Sequence, residues 1–107
     1  MSAMQVSVLY FADCPNWVDA GRQMRTALNA IGRGDVEVHF RAVETAEEAA
    51  EVGFGGSPTF MVDEVDLFGS PASAGSLTCR VYETENGLSG VPTLAVLVAK
   101  LRERTGR

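Results

Sequence analysis

The sequence predicts an α/β domain with the element order β-α-β-α-β-β-α. Three observations carry this. A β-branched and aromatic run near the N-terminus is apolar on both faces, as a central strand of a doubly covered sheet is. A single helical stripe follows it directly. An alternating strand comes next, so the first half reads as a βαβ unit with parallel strands and a right-handed crossover.

The first strand is "MQVSVLYF", residues 4–11, with Val6, Val8, Leu9 and Phe11 on its two faces. Pro15 suits a first helical position. Trp17, Gly21, Met24, Leu28 and Ile31 then recur at spacings of three and four, and Gly32 is a natural stop, giving a helix over about 15–31. In "VEVHFRAV", residues 36–43, Val36, Val38 and Phe40 face one way and Glu37, His39 and Arg41 the other. Thr45 with Glu48 makes a capping-box pattern ahead of the short helix "TAEEAAEV". "GFGGSP" breaks that helix, and "TFMVDEVDLF", residues 59–68, reads as two short strands turning near Asp63–Glu64. Residues 69–78 are small and polar and read as a loop insertion. "CRVYET" suits a further short strand, and "ENGLSG" a turn. The C-terminal run fits a helix: Pro92 stands at its start, Leu94, Leu97, Val98 and Leu101 form a stripe, and Lys100, Arg102 and Arg104 gather at its negative end.

At 107 residues the chain suits one domain, 1–107, with one modest core. A net charge of −5 argues against nucleic acid or an anionic membrane as the main partner. No apolar stretch reaches membrane-spanning length, and Met1–Gln5 lacks the positive start of a secretory signal, so a cytoplasmic location is expected. There, two cysteines point to thiol chemistry or metal ligation rather than to a structural staple. No phosphate-binding glycine loop, zinc ligand set or serine-nucleophile motif is present, and no cofactor or resident metal is expected. His39, alone of its kind, lies on the polar face of its strand, and Glu44, Glu47, Glu48 and Glu51 read as a solvated helix face.

Cys14 stands where the first strand ends and the helix begins. Unpaired N–H groups there favour a thiolate, while Asp13 opposes it. The plain alternative is a small buried residue at a turn.

"YFADCPNW" after a strand, "VGFGGSPTFMVD" after the second helix, and the element order together resemble the thioredoxin-like superfamily. The likeness is nearest to a short single-cysteine branch carrying "DCPNW" early and "CRVY" late. Some of that branch is labelled in relation to alkylmercury lyase, whose cysteine–cysteine–aspartate set does not map onto this chain. The resemblance implies a mixed central sheet of order 2-1-3-4 and a cis-proline facing the active cysteine. Gly56, Ser57, Pro58 and Thr59 match that proline segment. Pro92 is a second candidate, but only Pro58 leads into a strand. The resemblance also implies that Ser57 and Pro58 hold an extended substrate by backbone hydrogen bonds.

The departure is Trp17, which stands where a Cys-x-x-Cys pair has its second thiol. Trp17 begins the apolar stripe of the helix and is expected to pack there, and it stands with Ser57, Pro58 and Thr59 among the expected substrate-binding residues. Cys79 is then either the resolving thiol, carried back over Cys14 by the 69–78 loop, or a buried edge-strand cysteine. The leading expectation is a thiol-dependent redox protein. Cys14 attacks a disulfide, peroxide or mixed thiol of a protein or small molecule, and Cys79 or an external thiol resolves the product. Two alternatives stand beside it: a non-catalytic binding module of the same fold, and capture of a soft metal such as mercury by the two thiols.

Overall fold

A computed structural model describes residues 4–69, 77 and 79–105 of the chain. Among the described residues nine elements follow in order: β1 (Val6–Tyr10), α1 (Trp17–Ala30), β2 (Val38–Ala42), α2 (Ala46–Val52), β3 (Thr59–Val62), β4 (Val65–Asp66), β5 (Tyr82–Thr84), β6 (Gly87–Ser89) and α3 (Leu94–Thr105). Of the loop expected over 69–78, only Gly69 and Leu77 are among the described residues.

β1 to β4 form one mixed sheet of order β2-β1-β3-β4. β1 runs parallel to β2 and antiparallel to β3, and β3 runs antiparallel to β4. The α/β class is therefore the one the sequence predicts, and the strand order is the one the resemblance implies. β1 is central because both its faces are apolar. Val6 and Val8 join Phe60 and Val62 against Ala20, Met24, Ala27 and Leu28 of α1 and Leu97 and Leu101 of α3. Leu9 turns the other way and packs with Val43, Ala49 and Phe54 under α2. Each buried leucine or phenylalanine contributes roughly 2 kcal/mol, so the α1–α3 face holds most of the apolar stabilisation.

Local chemistry sets the ends of the helices. Gly32 takes a left-handed φ of +79° after α1, and the Arg33 amide donates back to the Leu28 carbonyl at 2.8 Å. At α2 the Thr45 hydroxyl accepts from the Glu48 amide at 3.1 Å, while the Glu48 carboxylate reaches back to the Glu44 amide at 2.9 Å. That is the expected capping box, closed one residue further out.

Two expectations need correction. α1 begins at Trp17 with Asn16 as its N-cap, not at Pro15, because residues 12–16 form turns that end the strand. The segment 85–90 is more than a turn: Gly87–Ser89 is the second arm of a hairpin with β5. All three residues of that arm are exposed, so it leaves no alternating pattern in the sequence. Among the described residues, no helix is long and apolar enough to cross a membrane.

Candidate functional site

The site lies beyond the end of β1. The chain leaves Tyr10, passes Phe11 and turns, and the Cys14 amide donates to the Phe11 carbonyl at 2.9 Å. Cys14 is 3% exposed and stands two residues before the α1 N-cap. It is joined to Cys79 in a disulfide with the Cα atoms 5.9 Å apart. Of the two places open to Cys79 in the sequence, the structure gives the one over Cys14. Cys79 is exposed, so the pair has a buried sulfur residue and an outward one.

The Ser57–Pro58 bond is cis. Ser57, Pro58 and Thr59 are all buried. The Ser57 hydroxyl accepts from the Phe11 amide at 2.9 Å and faces the Phe11 carbonyl at 3.4 Å, which ties the proline loop to the end of β1. The Thr59 hydroxyl donates to the Gly56 carbonyl at 2.6 Å and accepts from the Gly55 amide at 3.2 Å. These side chains fix the loop from inside. The Ser57 carbonyl accepts from the Arg80 amide at 3.0 Å, and Ser57 and Cys79 form a parallel β-bridge. The backbone edge expected to hold a substrate is engaged by the chain's own Cys79–Arg80 segment, just ahead of β5.

Residues that sequence reasoning passed over hold that segment in place. Arg80 donates from Nη1 to Asp66 Oδ2 at 2.8 Å and from Nη2 to the Gly69 carbonyl at 3.1 Å. The ion pair is shielded, with side-chain exposures of 10% for Arg80 and 3% for Asp66. The other Asp66 oxygen accepts from the Phe68 amide at 3.0 Å, so the buried carboxylate is satisfied on both sides. The Arg80 guanidinium also lies 4.9 Å from the centre of the Tyr82 ring. The Tyr82 hydroxyl donates to the Pro58 carbonyl. Burial pushes the ionisation of Tyr82 well above the ordinary tyrosine value; the Arg80 charge pulls it down and the Asp66 charge pushes it up. Gly56 completes the arrangement. Its φ is +110°, and a side chain there would meet the Arg80 Cβ at 2.8 Å, so only glycine lets the two backbones lie together. The one sequence signal was Asp66, a charge at an inward position of a short strand; nothing linked it to a residue fourteen positions on.

Trp17 is half-buried, stacked on Tyr10 with ring centres 4.2 Å apart, and edge-on to Phe40 at 5.8 Å. Packing is the role its surroundings give it. His39 faces outward beside Glu37 at 3.8 Å. Both cysteine sulfurs are committed to the disulfide, and among the described residues no group of three or more His, Cys, Asp or Glu is placed to hold a metal ion. No family model, curated protein or solved structure matches this chain.

Proposed function

We propose that this is a thiol–disulfide redox protein of thioredoxin-like type, in which Cys14 and Cys79 pass between dithiol and disulfide while exchanging with a protein or small-molecule thiol in the cytoplasm. The observation that carries this is the pairing of Cys14, where β1 gives way to α1, with Cys79, which is bridged to Ser57 of the proline loop.

The two sulfurs have different roles. An incoming thiolate attacks the exposed Cys79 sulfur and the Cys14 sulfur leaves as thiolate, near the partial positive charge of the α1 start. A second external thiolate then attacks the mixed disulfide on its outer sulfur. It releases Cys79 as a thiol and yields the external disulfide, so two electrons have moved. In the oxidising direction Cys79 takes the external group and Cys14 closes on Cys79, expelling the external thiolate. The sequence expectation had Cys14 attack first; the burial of Cys14 beneath an exposed Cys79 supports the opposite order. The buried Arg80–Asp66 pair and the Tyr82–Pro58 hydrogen bond hold residue 79 near Cys14 in both redox states, which favours rapid closure.

Glutathione disulfide tests this. Reduced wild type is expected to form the internal disulfide with loss of two hydrogens. Cys14→Ser is expected to accumulate a glutathione adduct on Cys79, faster than Cys79→Ser does on Cys14. If wild type keeps both thiols across physiological glutathione ratios, the redox reading fails. If Cys79→Ser reacts faster, the order of the sulfurs is reversed.

A further inference from the structure

β2 is the outer strand of the sheet, hydrogen-bonded on one side to β1. The Val43 amide donates to the Tyr10 carbonyl at 2.8 Å. By strand alternation His39 and Arg41 also turn their backbone groups toward β1, while Val38, Phe40 and Ala42 turn theirs outward. This edge is apolar on the α1 side. Phe40 is 48% exposed and Val18 of α1 42%. A cleft of about 860 Å³ runs between α1 and β2, lined by Trp17, Val18, Gly21, Arg25, Val38 and Phe40 among others. An open strand edge next to exposed apolar side chains is a template for another strand.

The sequence of the edge specifies that strand. Around His39 it reads Glu37-Val38-His39-Phe40-Arg41. Turned antiparallel on itself about His39, it sets Glu37 opposite Arg41 at both ends and Val38 opposite Phe40 on both sides, with His39 meeting its copy on the axis. The two Val38–Phe40 pairs join residues whose backbone groups both point outward, so each pair exchanges two hydrogen bonds. A register centred on Phe40 would set His39 against Arg41 and leave Glu37 without a cation. We propose that β2 pairs antiparallel about His39 with β2 of a second copy of this chain, giving a two-fold dimer with one continuous eight-stranded sheet. Phe40 and Val38 of each copy then close the mouth of the other's α1–β2 cleft. The contact is isologous and small, so the dimer is expected to be reversible, with a dissociation constant on the order of 10–100 µM. The inference does not depend on the redox reading.

Sedimentation equilibrium up to about 1 mM protein decides it. Wild type is expected to dimerise. Arg41→Glu and Glu37→Arg each create two like-charge pairs and are expected to weaken the dimer about tenfold or more. The double variant Glu37→Arg/Arg41→Glu restores opposite charges and is expected to return to within about threefold of wild type. Because it still lacks the 3.6 Å Arg41–Glu48 ion pair of the monomer, recovery reports the interface rather than folding. Trp17, the single tryptophan, lies edge-on to Phe40, so its emission should change on dilution of wild type and not of Arg41→Glu. A wild type monomeric at about 1 mM, single variants that dimerise like wild type, or a double variant that stays weak would each overturn the proposal.

Discussion

Tyr82 shows how one side chain serves both core and site. Its ring packs edge-on against Phe60 and Phe68 at 5.8 and 4.8 Å, and its hydroxyl is spent on the carbonyl of the cis-proline. Ionising it in place would put a charge in an apolar setting, so its folded-state pKa is raised above the ordinary value of 10.0. The sign follows from linkage. A raised pKa gives a contribution that is complete below about pH 10 and lost as pH rises from there toward the folded value, because only the unfolded chain ionises in that window. Phenolate absorbance should therefore show one of the two tyrosines titrating well above pH 10, and Tyr82→Phe should lack that step. Tyr82→Phe is also expected to cost about 1 kcal/mol near neutral pH through the lost hydrogen bond. If its stability falls with pH above 10 as steeply as wild type's, Tyr82 is not the group responsible.

At the scale of elements, the turn between β3 and β4 is under visible strain. Asp63 and Glu64 take φ values of +52° and +67°, the left-handed pair that a tight hairpin demands and that glycine or asparagine supplies most readily. Asp63 repays its conformation: its carboxylate accepts from the Gln5 amide at 2.9 Å and its own amide donates to the Gln5 carbonyl at 2.8 Å, closing the turn onto the start of β1. Glu64 makes no such bond among the described residues. Glu64→Gly should thus raise stability by about 1 kcal/mol, since relief of the left-handed backbone exceeds the added chain entropy. Urea unfolding of the oxidised protein measures this directly, and a loss of stability would mean the Glu64 side chain holds something its position does not show.

For the whole molecule, the disulfide is the longest covalent constraint, joining positions 65 apart in sequence. It ties the segment that leads through Arg80 into β5 to the junction of β1 and α1. Loop-closure entropy gives it a stabilisation of about 4 kcal/mol. That is a large share of the roughly 5–15 kcal/mol that holds a domain folded. Reduction, or Cys79→Ser, should therefore move the urea midpoint down by an amount equivalent to about 4 kcal/mol. An unchanged midpoint would mean that the Arg80–Asp66 and Tyr82 contacts already fix this segment in the unfolded ensemble as well as the native one. On the sheet face under α2, that helix spans seven residues and covers Leu9 but leaves Gln5, Ser7, Met61 and Asp63 lining an open cleft.

Periodicity and punctuation carried much of this fold in the sequence alone. The stripe from Met24 to Ile31, the alternation through Val38 and Phe40, the Thr45 cap and Gly32 each act over a few residues, so the chain states them locally. The place of Pro58 before a strand was legible for the same reason. Hairpin arm β6 was not, because an exposed three-residue strand has no buried face to impose a pattern. Which sulfur is covered, and what holds Cys79 in place, was decided in three dimensions. The bonds that do it join Cys14 to Cys79, Ser57 to Arg80, Asp66 to Arg80 and Pro58 to Tyr82. Each partner is an ordinary residue in its own stretch of chain. Only when β3 and β4 fold back beside β1 does a buried carboxylate need a cation, and a glycine at Gly56 leave room for the segment that brings one.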